Sequence, residues 1–400
     1  MEFSIDPKTQ TILDMIREFM EKEVYPLEPH FLGNSFVEMK GRLEDARNKV
    51  RQMELWAPQL PKELGGVGIG FMGYALCCEE IGRSPIGPYV FGSQAPDAGN
   101  IEILAKYGSD EQKEEYMWPL IKGEIRSCFS MTEPEFAGSN PTVMATTAEK
   151  DGDDYIINGH KWYTSSADGS RFAIVMAITN PEHDSPYQRA SMIIVPTDTP
   201  GFELVRNIPV MGHEGDDYAS HGEIMYRNCR VPQSNLLGPE GQGFLIAQER
   251  LGPGRIHHCM RYIGIAQRSL ELMCAYAAKR KVGSGKTLGT KQMVQNWIAE
   301  SRAEIHASRL MVLHAAWKID TLGVYEAREE ISLIKFYTAN TMLRVIDRAI
   351  QVHGGLGVSD DTILSFFYRS ERAARIYDGA DEVHKIVVAR RILRQYEGKE

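Results

Sequence analysis

The sequence predicts an α+β protein with an N-terminal all-α domain, a middle antiparallel β-domain and a C-terminal four-helix bundle. Three observations predict it. Apolar residues recur at helical spacing up to about residue 122, short β-rich runs between turn dipeptides follow to about residue 236, and long helical periods fill the rest. The expected domain boundaries are therefore 1–122, 123–236 and 237–400.

The first helix is signalled by Ile12, Met15, Ile16, Phe19 and Met20, which share one helical face, with Asp6 placed to cap it and Pro7 in its first turn. Residues 41–55, 71–83, 93–107 and 110–122 carry the same texture, punctuated by Pro58-Gln-Leu-Pro61 and Ser84-Pro-Ile-Gly-Pro88. In the middle segment, Asp151-Gly152 and Asn158-Gly159 flank the strand-like Tyr155-Ile-Ile157, and residues 172–178 and 191–195 bracket a polar loop. That spacing suits a sandwich or barrel. Beyond Gly241, helices are expected near 242–282, 290–320, 325–353 and 380–395.

Composition narrows the function classes. The chain has 400 residues, 43% hydrophobic and 25% charged, which excludes wholesale disorder and a small disulfide scaffold. A net charge of −9 argues against nucleic acid or an anionic membrane as a general partner. No apolar run approaches the ~18 residues of a membrane span. Residues 1–6 show no basic or apolar leader, and the six cysteines have no C-x-x-C spacing, so reduced thiols in the cytoplasm are the expectation.

Several motifs have a bland reading beside a sharp one. Gly68-Ile-Gly70-Phe-Met-Gly73 fits G-x-G-x-x-G but lacks a preceding strand, so a loop entering a helix is the better reading. Gly283-Ser-Gly-Lys-Thr287 resembles the end of a phosphate loop, yet Arg280 stands where its first glycine belongs. His257-His258 are adjacent, whereas zinc helices space histidines four apart; no metal site is expected. His353 before Gly354 reads as capping or packing rather than as a base. Asp378 before Gly379 reads either as the cap of the last helix or as a functional acid, and these residues alone leave both open.

A set of motifs in fixed order adds a resemblance over nearly the whole chain. Leu64-Gly-Gly-Val-Gly68, Glu79-Glu-Ile-Gly-Arg83, Met131-Thr-Glu-Pro134 with Ala137-Gly-Ser139, Asn158-Gly-His-Lys-Trp162-Tyr-Thr164, Gly238-Pro-Glu-Gly-Gln-Gly-Phe244, Gln351-Val-His-Gly-Gly355 and Asp378-Gly379 resemble the signatures of the acyl-CoA dehydrogenase family. Residues 251–261 and 378–384 resemble the branch of family members ten and eleven. Three departures stand out: one extra residue in Glu133-Pro-Glu-Phe-Ala-Gly-Ser139, Lys281 and Ser284 in place of an arginine and an aromatic, and Asp378 in place of the usual glutamate base.

The resemblance implies FAD as cofactor. Its contacts would include Phe129, Met131, Thr132 and Ser139, with Trp162 and Thr164 against the flavin ring. Arg280 or Lys281 would reach the FAD of a partner subunit, Gln351, Gly354 and Gly355 would hold its pyrophosphate, and Ala380 and Glu382 would lie near the flavin. Ser139, Arg255, Gly379 and Arg390 would meet the acyl-CoA, and Asp378 would be the catalytic base, its pKa raised by burial. The implied reaction is dehydrogenation of an acyl-CoA to a trans-2-enoyl-CoA, for longer, branched or 4-hydroxylated acyl groups, in a homodimer or homotetramer that passes electrons to an electron-transferring flavoprotein. The rival readings are a flavin oxidase of nitroalkane-oxidase type, which also uses an Asp base, and a catalytically silent acyl-CoA-binding scaffold.

Overall fold

The computed structural model describes residues 4–397; Met1–Phe3, part of the leader reading, lie outside it. The helices α1 Pro7–Phe19, α2 Glu28–Gly33, α3 Phe36–Gln52, α4 Gly70–Ile81, α5 Gly87–Val90, α6 Asp97–Tyr107, α7 Asp110–Gln112 and α8 Trp118–Lys122 come first. The strands β1 Ser127–Ser130, β2 Thr147–Asp151, β3 Asp154–Ser165, β4 Phe172–Ile178, β5 Ala190–Pro196, β6 Phe202–Asn207, β7 His221–Pro232 and β8 Leu236–Leu237 follow. Then come α9 Gly243–Lys279, a ribbon of β9 Lys281–Gly283 and β10 Lys286–Thr287, α10 Gln292–Leu322, α11 Arg328–His353, α12 Ile363–Glu371 and α13 Asp381–Leu393.

Two compact units emerge. Among the described residues, one comprises 4–33, 42–91 and 252–397; the other comprises 34–41 and 92–251. In the first unit, α1 starts where the sequence places it. The Asp6 carboxylate accepts from the Lys8 and Thr9 N–H groups at 3.0 Å each, and Pro7 opens the first turn. Ile12, Leu13, Ile16 and Phe19 are its buried apolar face, with Leu13 taking the place expected of the half-buried Met15. The long helices of α9, α10 and α11 and the shorter α13 appear within a few residues of their expected spans. Among the described residues, no helix is long and apolar enough to cross a membrane.

In the second unit eight strands form one sheet in the order β6-β7-β3-β2-β4-β5-β8, with β1 beside β4. Most pairings are antiparallel, as expected, but β1 and β2 both run parallel to β4. Strand β4 is a continuous apolar run and β5 is apolar but for Ser191, each buried at all but its last residue, while Tyr155 and Ile157 of β3 join the same core as Ala148, Val175 and Tyr226. Asp151-Gly152 is the hairpin turn it was read as, with Gly152 at φ +63°. Asn158-Gly159 is not a turn. It lies inside β3 at a register shift, and a Cβ on Gly159 would stand 2.2 Å from Thr146 Oγ1, so the glycine admits a close neighbour.

The phosphate-motif look-alikes fall away on geometry. Gly70 opens α4 after a short helical turn and not after a strand, and Gly283-Ser284-Gly285 is the tip of the β9–β10 ribbon. All six cysteines are free, five of them buried.

Candidate active site

The loop after β1 is pinned to β3 by a buried ion pair. Lys161 Nζ donates to Glu133 Oε1 at 2.9 Å and to the Met131 carbonyl at 2.8 Å, with both charged side chains almost wholly inaccessible. The Glu133 carboxylate also accepts from Ala145 N–H at 2.6 Å, Thr146 N–H at 3.0 Å and Thr146 Oγ1 at 2.6 Å. Burial works to raise the Glu133 pKa, but Lys161 and these donors outweigh it and hold the carboxyl below its ordinary value. Burial pushes Lys161 down to about 8 even though Glu133 pulls the other way. Thr132 completes the join, since its hydroxyl donates to the Trp162 carbonyl at 2.9 Å and its carbonyl accepts from Trp162 N–H at 3.1 Å. The Lys161–Glu133 pair was in the motifs read above, yet sequence reasoning gave it no role.

The strand then corrects one expected contact. Thr164 is fully buried, and its hydroxyl sits 3.2 Å from Ser130 Oγ, which in turn accepts from Tyr226 Oη at 3.0 Å. It belongs to the interior of the sheet and not to an open face. Tyr163 and Ser165, on either side of Thr164 along the strand, are less buried than it is. Tyr163 is 48% exposed at φ +50°, on the bulge where β3 changes register against β7, and Ser165 is half-buried with Oγ 2.8 Å from His221 Nδ1. Trp162 is half-buried, its ring 4.9 Å from that of Tyr163. Phe129, half-buried on β1, carries the Arg250 guanidinium 4.1 Å above its ring. Met131 is half-buried and Ser139 is exposed.

In the other unit, the turn before α13 carries Asp378. Asp378 has φ +55° and Gly379 φ +100°, a backbone that costs roughly 1–3 kcal/mol at a non-glycine residue and persists only where its surroundings impose it. They do so from two helices. Lys335 of α11 donates to the Ala374 carbonyl at 2.6 Å, Arg261 of α9 donates to Tyr377 Oη at 2.7 Å, and Arg255 of α9 donates to the Asp378 carbonyl at 2.9 Å. Asp381, at the start of α13, takes Arg375 at 2.7 Å and Asn340 at 2.8 Å, so it is a structural acid. Gly379 is required by space as well as by angle, because a Cβ there would meet His384 Nε2 at 2.6 Å.

The Asp378 carboxylate stands 3.1 Å from His258 Nε2 and keeps a fifth of its side chain open. Burial alone would raise its pKa, which is the expectation stated above. The structure overturns that expectation: His258, Arg255 and Lys335 outweigh burial and draw the carboxyl well below the usual carboxylate range. These neighbours favour the ionised form, which has a free oxygen for a proton, and they make it a weaker base than burial alone would.

The remaining candidates divide. Arg255, expected on the substrate, is spent in part on the Asp378 turn. Gln351, Gly354 and Gly355 are exposed at the end of α11, and a Cβ at either glycine would meet nothing within 4 Å, so a ligand can approach the backbone there. Arg280, Lys281, Glu382 and Arg390 are exposed, and Ala380 is the N-cap residue of α13. His353 is buried, stacked on Tyr276 at 4.3 Å, with Nδ1 2.8 Å from the Ala349 carbonyl, which is the packing role. Among the described residues no group of three His, Cys, Asp or Glu could hold a metal ion.

His257, beside His258, is half-buried with its Nε2 inaccessible, packed against Tyr74, ring centroids 4.4 Å apart, and Phe71, 5.3 Å apart. Burial, with the neighbouring His258, pushes its imidazole down to about 3. An unfolded chain binds that proton below about pH 6.5 while the folded one refuses it until about pH 3, so stability is lost as pH falls through that window. His257→Phe is expected to flatten the fall in melting temperature between pH 6.5 and 4.5, a difference of roughly 2 kcal/mol at the acid end; thermal melts across that range check it.

Comparison with known protein families gives the class of protein. The family descriptions "Acyl-CoA dehydrogenase, N-terminal domain", "middle domain" and "C-terminal domain" match residues 6–124, 128–229 and 241–393. The chain belongs to the acyl-CoA dehydrogenase family. It is 44% identical over 393 residues to acyl-CoA dehydrogenase family member 11 of Gallus gallus, covering 96% of this chain and 50% of that protein. It is 40% identical over 401 residues to family member 10 of Mus musculus, covering 98% of this chain and 37% of that protein. A solved acyl-CoA dehydrogenase homologue from Mycobacterium abscessus superposes with a TM-score of 0.94 at 40% identity, over 98% of this chain and all of that one. The chain thus spans about half the length, or less, of these two curated relatives.

Proposed function

We propose that the protein is an FAD-dependent acyl-CoA dehydrogenase that converts an acyl-CoA thioester to a trans-2-enoyl-CoA. The observation that carries this reading is the Asp378 carboxylate, ionised, partly open and aimed by a positive-φ turn. Bound FAD would supply a hydride acceptor for the substrate Cβ. Each unit carries residues that fit it: in the helical unit, open backbone at Gly354 and Gly355 for a pyrophosphate; in the sheet unit, an exposed Tyr163 ring for stacking and the half-buried Ser165 hydroxyl for a hydrogen bond. Phe129, Met131, Thr132 and Ser139 remain candidates for further contacts, with the Lys161–Glu133 pair holding the Met131–Thr132 backbone in place.

Asp378 would take the α-proton. Its own backbone N–H is the donor proposed for the thioester oxygen, where charge builds as that proton leaves. An aspartate arm is one methylene shorter than glutamate, about 1.5 Å, and a misplacement of that size costs ~100-fold. The clamps from Arg255, Arg261 and Lys335 set the turn for the shorter arm. Longer, branched or 4-hydroxylated acyl groups, an electron-transferring flavoprotein as acceptor, and a dimer or tetramer in which Arg280 or Lys281 meets a partner's FAD complete the proposal. The Asp base also suits an oxidase; oxygen consumption in step with turnover would identify one.

The purified protein is expected to carry about one non-covalent FAD per chain. Tyr163→Ala should weaken FAD binding about tenfold, the value of one lost stacking contact, whereas Thr164→Val should lower thermal stability with FAD affinity little changed. Fluorescence titration of the apoprotein with FAD separates the two. A colourless protein that takes up no FAD would contradict the reading.

A further inference from the structure

Helix α9 presents Arg255, His258 and Arg261, spaced three apart, to the turn that carries Asp378. Arg255 grips the Asp378 carbonyl at 2.9 Å, and Arg261 grips the Tyr377 hydroxyl at 2.7 Å while pairing with Glu371 at 2.5 Å. Both fix the turn; neither fixes the plane of the carboxylate. The terminal torsion of an aspartate is broad and nearly two-fold, so a carboxylate without a partner samples many planes. His258 is the side chain that meets it, Nε2 to Oδ2 at 3.1 Å, and is the one side chain paired with that carboxylate among the described residues. The imidazole is itself oriented, near-parallel to Tyr262 at 6.3 Å and tilted against Tyr377 at 5.5 Å.

We propose that His258 is a positioning residue for proton abstraction: it holds Oδ2 of Asp378 and so aims Oδ1 at the substrate α-carbon. This rests on the reading of Asp378 as the base. In the step, the Cα–H bond would break, its proton would go to Oδ1, and its electron pair would become the second Cα=Cβ bond; bound FAD would supply the two-electron acceptor for the hydride lost from Cβ. The carboxylate is the group that ends protonated, and His258 exchanges no atom with the substrate.

The test uses the FAD-loaded enzyme and two rates. One is anaerobic flavin bleaching by an acyl-CoA that the wild type oxidises. The other is exchange of α-hydrogen for solvent deuterium in 3,3-dimethylbutanoyl-CoA, which has no β-hydrogen and can only exchange; proton NMR reads it without any redox step. His258→Ala is expected to slow both by roughly 30–100-fold, with FAD content and enoyl-CoA affinity kept. His258→Gln, whose amide can donate from nearly the same place, should recover both to within about tenfold of wild type. Wild-type rates in His258→Ala, equal losses in both variants, or a loss of FAD or enoyl-CoA binding in step with rate would each overturn the proposal. Asp378→Asn is the control that separates this inference from the reading beneath it. If that variant exchanges normally, the base assignment fails; if it is inert while His258→Ala is normal, only the positioning role fails.

Discussion

Asp378→Asn is expected to reduce its flavin at least ~1000-fold more slowly than wild type on mixing with acyl-CoA, a barrier increase of ~4 kcal/mol. The substitution keeps size and one acceptor, so the turn clamped by Arg255, Arg261 and Lys335 should persist, and FAD and acyl-CoA should still bind. What it removes is the ionised oxygen that receives the proton. Asp378→Glu should be faster than Asp378→Asn but slower than wild type, because the turn is set for a shorter arm and the longer one overshoots the partner at His258. Stopped-flow absorbance in the flavin band checks all three proteins. A near wild-type rate in Asp378→Asn would move the base elsewhere. Asp381 is a poor substitute, being 1% exposed and held by Arg375 and Asn340; Glu382, exposed in the first turn of α13, would be the acid to examine.

Lys161→Met is expected to cost about 3–5 kcal/mol of stability, the usual result of leaving one partner of a buried ion pair uncompensated. Glu133 would keep its bonds from Ala145 and Thr146, which limits the damage toward the lower figure, but it would sit as a lone buried charge. The melting midpoint should fall by roughly 6–10 °C. Glu133→Gln should be milder, because Lys161 is already pushed down to about 8 by burial and, without Glu133, can shed its proton near neutral pH. Lys161→Met combined with Glu133→Gln should recover much of the loss, since no buried charge is then left unpaired. Both single changes should also weaken FAD binding, because Lys161 fixes the Met131 carbonyl and with it the segment that continues into Thr132. Thermal melts of the four proteins, with and without added FAD, separate stability from cofactor affinity.

What could be read in the sequence follows the range of the forces. Helix α1 was legible because its cap, its proline and its apolar spacing all lie within fourteen residues. Asn158-Gly159 was misread as a turn because its glycine answers to Thr146, a neighbour across the sheet that no local pattern reveals. Asp378 was legible as a candidate from the glycine after it and from the motif, but its charge state was not. That state is set by Arg255, His258 and Lys335, which lie 43 to 123 residues away in sequence and arrive only when α9 and α11 pack beside the turn. Thr164 shows the same limit on a smaller scale: strand alternation with a bulge at Tyr163 decides which side chain faces out, and a shift of one residue exchanges the buried hydroxyl for the open one.

The most direct test of the central claim is an anaerobic titration of the purified, FAD-loaded protein with a panel of acyl-CoA thioesters, read by flavin absorbance. The account predicts that the oxidised flavin band bleaches with at least one acyl-CoA, that a trans-2-enoyl-CoA forms in equal amount, and that Asp378→Asn binds the same thioester without bleaching. A protein that holds FAD yet keeps its oxidised band with straight, branched and 4-hydroxylated acyl-CoAs alike would contradict it.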